Sequence, residues 1–463
     1  MCRLTASADI PVVVEGVAGA RGNLQRMKIR RLLYLSVALG LASSGLFAQE
    51  TPHAFVGARL EICDGPSIED GVLVVHRGKI VAVGAADDVQ IPSNAVKVDA
   101  SGQTIMPGLV CSHSHIGSVS GGDSSGPIQP EVRALDSING RDPGIQKAQA
   151  GGITTVNVMP GSGHLLSGQT IYMKLRDVYT MEELAVRNAD GSIAGGIKMA
   201  NGTNPRKSVP FPGTRGKAAA LVRAQFHRAR DYQRKVKAAA GDPEKMPDRS
   251  LGMEALIEAM EGKRMVHHHT HRQDDILTVL RLQKEFGFRV VLHHVSEGWM
   301  VAKEIAAAKA PCSVIVIDSP GGKLEAARLS LQTGAILDEA GVLVGFHTDD
   351  GITDSRLFLR SAALAVRAGM DRQKALQAVT IANARMLDMQ DRVGTLTVGK
   401  DADFVLLSGD PLSIYTRVQQ TWVEGLKVFD LADPKDRLMA TGGFGASNDQ
   451  AQSMCCYGQG GGK

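Results

Sequence analysis

Short apolar runs occur throughout this chain, but their spacing changes along it and separates a middle part from two ends. After residue 50, β-branched runs such as 71–75 and 79–84 are bounded by Asp-Gly and Arg-Gly pairs, a pattern typical of short strands joined by tight turns. The runs at 402–407 and 421–429 have the same character. We therefore predict that the two ends of the chain combine into one small β-sandwich.

The middle part alternates apolar strand candidates with segments in which apolar residues recur at helical spacing, for example 274–286 and 324–340. The strand candidates are 106–115, 153–158, 170–173, 193–199, 264–269, 289–294, 313–317 and 342–346. Eight parallel strands with crossover helices form an α/β fold of the (β/α)8 TIM-barrel type, in which the active site lies at the C-terminal ends of the strands. This rule predicts where chemically active side chains should occur.

These patterns predict five segments along the chain. They are a leader at 1–48 with a signal peptide at 27–48, the first part of the β-sandwich at 49–104, the barrel at 105–388, the second part of the β-sandwich at 389–430, and a flexible tail without periodicity at 431–463.

The leader has the three regions of a secretory signal peptide. Lys28, Arg30 and Arg31 precede an apolar run at 32–41, and small residues follow up to Ala48. The alternative is an uncleaved membrane anchor, but the run is short for a membrane span and is interrupted by Ser and Gly. We expect cleavage after Ala48, a periplasmic or extracellular mature protein, and no stable membrane insertion after cleavage.

Composition excludes some classes of protein. The 463 residues are 43% hydrophobic and 22% charged, which is an ordinary globular balance. Six basic residues lie in the leader, so the net charge of +4 leaves the folded part near neutral and gives no indication of nucleic-acid binding. The six cysteines form no closely spaced framework, so stability must come from the core rather than from disulfides.

Histidines occur where the barrel rule expects functional groups. His113 and His115 are two residues apart at the end of the first strand, so both imidazoles face one side and can reach one metal ion. Such a pair alone is a weak signal, because solvated loop histidines are common. Further histidines close later strands at 269, 293–294 and 347, and Asp349 follows the last of them. Scattered core histidines would not follow strand ends in this way.

With these residues in hand, the chain resembles the amidohydrolase superfamily, and specifically its imidazolonepropionase-like branch, over roughly residues 54–430. The most specific pieces are Pro-Gly-Leu-x-x-x-His-x-His at 107–115, the Thr-Asp pair at 348–349 and the stretch at 393–403. The resemblance implies a metal-dependent hydrolase that holds one or two divalent ions, and zinc is the ion we expect. Its implied metal ligands are His113, His115, Lys198, His269, His294 and Asp349.

Three of these assignments have alternatives. His267, His269 and His271 share one face of the fifth strand, and His269 is chosen because the segment after it resembles the start of the family's fifth helix. His293 competes with His294 on the sixth strand. Lys198 is either a carboxylated lysine that bridges two metals or a cationic lysine paired with a carboxylate.

The resemblance also implies the chemistry, which is hydrolysis of amide or cyclic amide bonds with Asp349 as the catalytic proton carrier. Asp349 could instead cap the helix predicted at 352–364, but Asp350 or Asp354 could fill that role. The alternatives are an exported dipeptidase or prolidase-like peptidase and a noncatalytic binding protein on the same barrel. The expected partner is a small amide or peptide, and a homo-oligomer is compatible with the sequence.

One further loop has two interpretations. Residues 161–164 read Gly-Ser-Gly-His after the second strand, and a glycine-rich loop can either cradle an anion or simply form a turn. His164 is a candidate for substrate contact in the first case.

Overall fold

The computed structural model of the chain describes residues 50–117, 119, 123, 125–316, 323–443 and 446. The predicted leader and signal peptide, and most of the predicted tail, lie outside these residues. Within the first part of that tail, the structure has a short helix at Pro434–Thr441, which the side chain of Asp433 caps.

The strands of the described part, in chain order, are β1 (His53–Leu60), β2 (Ile68–His76), β3 (Lys79–Ala85), β4 (Val96–Asp99), β5 (Thr104–Pro107), β6 (Leu109–Ser114), β7 (Ile153–Val158), β8 (Leu166–Gln169), β9 (Ile171–Lys174), β10 (Ile197–Ala200), β11 (Val266–Thr270), β12 (Val290–His294), β13 (Cys312–Ile315), β14 (Val344–His347), β15 (Phe404–Leu407), β16 (Val418–Val423) and β17 (Leu426–Asp430).

The helices, in the same order, are α1 (Pro143–Ala150), α2 (Met181–Leu184), α3 (Arg215–Ala239), α4 (Leu251–Met260), α5 (Gln273–Phe286), α6 (Ala302–Ala307), α7 (Thr333–Glu339), α8 (Phe358–Arg367), α9 (Arg372–Ala378), α10 (Ile381–Met386) and α11 (Pro434–Thr441). Among the residues that the structure describes, no helix is long and apolar enough to cross a membrane.

Both ends of the chain contribute to one sheet, in the order β17-β16-β15-β5-β1-β2-β3, with β4 beside β1. Its core includes Phe55, Phe404 and Trp422, whose ring centroids lie 5.0 to 5.5 Å apart. β5 belongs to this sheet, although its sequence had been expected to open the barrel from residue 105. The chain leaves the sheet at Gly108, where a side chain would collide with Thr154 at 2.3 Å.

The middle of the chain has an α/β fold related to the TIM barrel. Strands β10 to β14 are parallel and consecutive in one six-stranded sheet, and β6 and β7 are parallel in another. The backbone N–H of Asp349, just after β14, donates to the carbonyl of His113 in β6 at 3.1 Å, which places the last and first strands side by side. Among the described residues the strand pairings form these separate sheets rather than one closed ring of eight.

The prediction of eight parallel strands is wrong for the third of them. β9 pairs with β7 in the antiparallel direction, and β8 pairs with β10 in the same way. A parallel return needs a crossover of a dozen or more residues, usually with a helix. The segment between β7 and β9 contains β8 instead of a helix, so β9 can return only in the opposite direction.

The described cysteines, Cys63, Cys111 and Cys312, are buried free thiols. Cys111 donates to the carbonyl of His113 at 3.2 Å and lies 3.4 Å from the hydroxyl of Thr348. Its thiol therefore packs between β6 and β14 as a small core group, and it is absent from every group of possible metal ligands in the described part of the chain.

A buried ion-pair cluster joins the middle of the chain to the end sheet. The Lys174 ammonium on β9 is fully buried and lies 2.6 Å from Asp403 and 3.1 Å from Asp401. We expect Lys174→Met to lower the free energy of unfolding by about 3–5 kcal/mol, because it removes the cation that pairs with the buried Asp403 carboxylate, whereas Asp401 keeps Lys79 and Arg392. Urea unfolding measures this loss. Lys427→Met, which removes a partly exposed pair with Asp430, is the control and should cost less than about 1 kcal/mol. Equal losses in the two variants would contradict this interpretation.

Candidate metal centre

The six predicted ligand residues all lie at or just after the C-terminal ends of parallel strands. His113, Lys198, His269 and His294 belong to β6, β10, β11 and β12, whereas His115 and Asp349 follow β6 and β14. Since neighbouring parallel strands end at the same edge, these side chains converge on one region.

The first group of possible ligands joins the first and last strands. The Asp349 carboxylate oxygen Oδ1 lies 3.0 Å from Nε2 of His115 and 3.3 Å from Nε2 of His113. The two imidazole Nε2 atoms are 3.3 Å apart. The other nitrogen of His115 contacts the carbonyl of Met159 at 2.8 Å, which fixes the orientation of the ring.

The second group lies at the ends of β11 and β12 and consists of His269, of His271 just after β11, and of His294, which could hold one ion together. Among the described residues, neither nitrogen of the buried His269 ring has a hydrogen-bond partner. His271 contacts the hydroxyl of Ser296 through Nδ1 at 2.8 Å, which leaves Nε2 for another ligand. The Asp349 oxygen Oδ2 lies 3.8 Å from Nδ1 of His294, so this carboxylate lies between the two groups.

Lys198 is fully buried beside the first group. Its ammonium nitrogen lies 3.1 Å from Nε2 of His113 and 3.0 Å from the sulfur of Met159. No carboxylate oxygen of the described residues forms an ion pair with it. The expected alternative, in which a carboxylate pairs with Lys198, is therefore not seen in this part of the chain.

Both histidines of the sixth strand reach the cluster, although only one had been expected to face inward. Consecutive residues of an extended strand point to opposite faces. His294 has a φ of 71° and Val295 a φ of 45°, so the strand leaves the extended conformation at His294 and its ring turns toward the same interior as His293. The ring centroids of both histidines lie 4.9 Å from that of His113.

Sequence reasoning left several buried groups without a role. His347 contacts Nδ1 of His294 at 3.1 Å through Nε2 and the hydroxyl of Ser313 at 2.7 Å through Nδ1. His267 joins the hydroxyl of Tyr172 to Nε2 of His293, with 3.0 Å on each side. Alternation along β11 and β14 places these rings inside, but the sequence carries no signal for their partners.

Known proteins resemble this chain both in sequence and in structure. Residues 104–431 match the Amidohydrolase family. A crystal structure of an amidohydrolase from Thermotoga maritima MSB8 is 32% identical and superimposes with a TM-score of 0.76, over 81% of this chain and 99% of that one. The chain belongs to the amidohydrolase family.

Two curated relatives extend this comparison. The amidohydrolase tasK of Hapsidospora irregularis is 26% identical over 78% of this chain, which spans only 40% of the length of tasK. The imidazolonepropionase of Rhizobium rhizogenes is 26% identical over 78% of this chain and 92% of its own length. The predicted resemblance and the prediction of a metal-dependent hydrolase of carbon–nitrogen bonds are confirmed at this level.

Burial keeps the histidines of this amidohydrolase neutral. Desolvation lowers the pKa of His113, His269 and His294 well below the ordinary value, and the nearby positive groups lower it further. It also lowers the pKa of His347 to about 3. Neutral imidazole is the form that coordinates a metal, so this cluster is ready to bind a cation without first releasing protons.

Two charged groups of the amidohydrolase have shifted pKa values of different origin. Desolvation lowers the pKa of Lys198 to about 7. In a large fraction of the molecules the Lys198 side chain is therefore an uncharged amine at neutral pH. Burial acts to raise the pKa of Asp349, but the contact with His115 and the surrounding positive groups hold it below the ordinary value. Asp349 is therefore a carboxylate at neutral pH.

Asp349 does not cap the following helix. Asp354 accepts from the backbone N–H of Arg356 at 2.9 Å and so begins the helical turn that leads into α8. Asp350 accepts from the hydroxyl of Ser355 at 2.7 Å and lies 3.7 Å from the Lys147 ammonium. The carboxylate of Asp349, with a backbone φ of 49°, is left to face the histidines.

Proposed function

We propose that the mature chain is an exported, zinc-dependent amidohydrolase that cleaves amide bonds of small acyl-amino acids, dipeptides or cyclic amides on a TIM-barrel-like α/β fold with an attached β-sandwich. One observation carries the proposal. The Asp349 carboxylate lies between the pair His113–His115 and the group His269, His271 and His294, so a base and two sets of nitrogen ligands meet at the strand ends.

The residues present fit a divalent cation. His269 has two buried ring nitrogens without partners among the described residues, and leaving such groups unpaired costs about 1–3 kcal/mol each. A cation at this place would remove that cost. Neutral imidazoles with one carboxylate are a donor set that zinc favours. The group His113, His115 and Asp349 shares no residue with the group His269, His271 and His294, so two ions can be accommodated.

Lys198 fits the role of a carboxylated lysine better than that of a paired cation. It is buried next to His113 without an acidic partner in the described part of the chain, and burial lowers its pKa to about 7. The uncharged amine is the nucleophilic form that can take up carbon dioxide. The resulting carbamate would add an anionic oxygen ligand beside His113.

Activation of water and polarisation of the scissile carbonyl are the chemistry that a bound divalent cation supplies. The chain itself provides the proton transfers. Asp349 is ionised and lies at the centre of the cluster, so it can accept the proton of the attacking water and deliver it to the leaving nitrogen. Nε2 of His115 lies 3.0 Å from this carboxylate, and the contact of Nδ1 with the Met159 carbonyl fixes the ring beside it.

Export is proposed from the leader, since Lys28, Arg30 and Arg31 precede the apolar run at 32–41. We expect the mature chain to begin near Gln49. N-terminal sequencing of protein from the extracytoplasmic fraction measures this. A mature chain that still begins at Met1 would contradict the proposal.

The function is tested by a substrate screen. Purified protein is assayed against N-acyl amino acids, dipeptides and cyclic amides while elemental analysis measures bound metal. We expect one or two zinc ions per chain, hydrolysis in at least one class, and loss of turnover after chelation that added zinc restores. Full turnover in metal-free protein would contradict a metal-dependent hydrolase.

A further inference from the structure

His164 is a buried histidine outside the proposed ligand set. It lies on the loop between β7 and β8, five residues after Met159, whose carbonyl contacts His115. Its side chain is buried, and neither ring nitrogen has a hydrogen-bond partner among the described residues. Buried polar side-chain atoms in native proteins usually have a partner. The ring therefore has both a donor and an acceptor to offer to a bound molecule.

A cationic group lies next to this histidine. The Lys207 ammonium lies 4.7 Å from the ring centroid of Phe211, and the His164 ring centroid lies 5.6 Å from the same ring. This ammonium also lies close to the loop of His164, because a Cβ atom built at Gly163 would be 3.1 Å from the Lys207 nitrogen. In the described part of the chain Lys207 forms no ion pair, so its charge is available to a ligand.

The two loops that carry these residues are tied together at the edge of the metal centre. The Asn204 side-chain amide donates to the hydroxyl of Ser162 at 2.6 Å. The backbone N–H of Ala200, at the end of β10, donates to the carbonyl of Leu165 at 3.1 Å. Since β10 also carries Lys198, this arrangement places His164 and Lys207 at the strand ends where the substrate of this fold binds.

The nearby carboxylate of Asp123 does not bind to His164 or Lys207 in the described part of the chain. Its Oδ1 accepts from the backbone N–H of Ser125 at 2.7 Å and from the side-chain amide of Gln129 at 3.3 Å. These bonds hold it within its own turn, and no hydrogen bond joins it to His164 in the described residues. The Lys207 ammonium and the His164 imidazole thus both lie against the ring of Phe211 without a hydrogen-bonded carboxylate among the described residues, and a carboxylate that reaches both can accept from both.

We propose that His164 and Lys207 bind a carboxylate of the substrate, so that this enzyme prefers amides with a free carboxylate over neutral amides. The proposal rests on the proposed function and narrows its substrates to N-acyl amino acids and dipeptides. The ring of Phe211 offers an apolar surface beside the carboxylate, which suits an apolar side chain on the same residue of the substrate.

Binding is tested first with compounds that the enzyme cannot hydrolyse. Calorimetry of the metal-loaded protein with 3-phenylpropanoate and with 3-phenylpropan-1-ol compares a carboxylate with a neutral analogue. We expect Lys207→Met to weaken binding of the propanoate by about 10-fold or more and to leave binding of the alcohol unchanged. Lys207→Arg should retain most of the affinity. Lys217→Met, an exposed lysine at the start of α3, is the matched control. Propanoate binding that is equally strong in Lys207→Met would overturn the proposal.

Turnover provides the second readout. N-acetyl-L-leucine is compared with N-(3-methylbutyl)acetamide, which lacks the carboxylate. In Lys207→Met and His164→Gln we expect KM for the acid to rise by about 10-fold while kcat stays within about threefold, because the contact binds ground state and transition state alike. An unchanged preference for the acid in both variants would contradict the carboxylate site. Failure of the wild-type enzyme to hydrolyse any compound would instead contradict the proposed function, and the calorimetry would still decide the binding site.

Discussion

Asp349→Asn is expected to lower turnover by about two to four orders of magnitude while metal content and fold persist. The substitution keeps the size of the side chain but removes the basic carboxylate, which lies 3.0 Å from His115 and 3.8 Å from His294. The contact of His115 Nδ1 with the Met159 carbonyl is untouched by this substitution, so the ring should keep its position. Steady-state kinetics beside elemental analysis and circular dichroism measure the three quantities.

Asp350→Asn is the matched control, one residue further on. Its carboxylate faces Ser355 and Lys147 rather than the histidines, so we expect reduced thermal stability and nearly unchanged turnover. The two variants should therefore lose different properties. Near-normal turnover in metal-replete Asp349→Asn would show that another group carries the proton.

His269→Ala is expected to weaken metal binding by at least about 100-fold, since the loss of a direct ligand should cost no less than the loss of a group that merely orients one. The effect follows from the position of its ring, which is buried beside His271 and His294 with both nitrogens unpartnered among the described residues. Turnover at limiting zinc should fall in parallel. Competition with a zinc-sensitive dye measures the affinity.

His268→Ala removes the same side chain from the neighbouring position on β11. Residues of a strand alternate between its faces, and Nδ1 of His268 contacts the backbone carbonyl of His269 at 2.9 Å. It belongs to no group of possible ligands in the described part of the chain. We expect a loss of stability in this variant but normal zinc affinity. Equal losses of zinc affinity in the two variants would show that packing of β11, and not coordination by His269, supports the site.

Local patterns predicted much of this molecule because they depend on neighbouring residues. The spacing of His113 and His115, the β-branched runs of the end sheet and the helix at Gln273–Phe286 follow from the two-residue and 3.6-residue periods of strands and helices. The parallel direction of β9 was predicted wrongly, because strand direction depends on the connection that precedes it, and β8 replaces the crossover helix there.

The choice among neighbouring histidines was a different problem. His267, His269 and His271 share one strand face, so periodicity could not separate them. Tertiary contacts separate His267 from the other two, because His267 bonds with Tyr172 and His293 whereas His269 and His271 belong to one group of possible ligands. His293 and His294 both reach the cluster only because the backbone at His294 adopts a positive φ, which no pattern of residue types encodes.

The sequence by itself determined the family, the strand ends at which the ligands lie, and the residue types that can hold a cation, since all three depend on motifs and on local periodicity. Only the tertiary structure decided that the Asp349 carboxylate lies between two groups of histidines, that Lys198 is buried without an acidic partner in the described residues, and that His164 and Lys207 lie close together. These relations join residues distant in the chain, and packing of the strands and loops sets the distances between them.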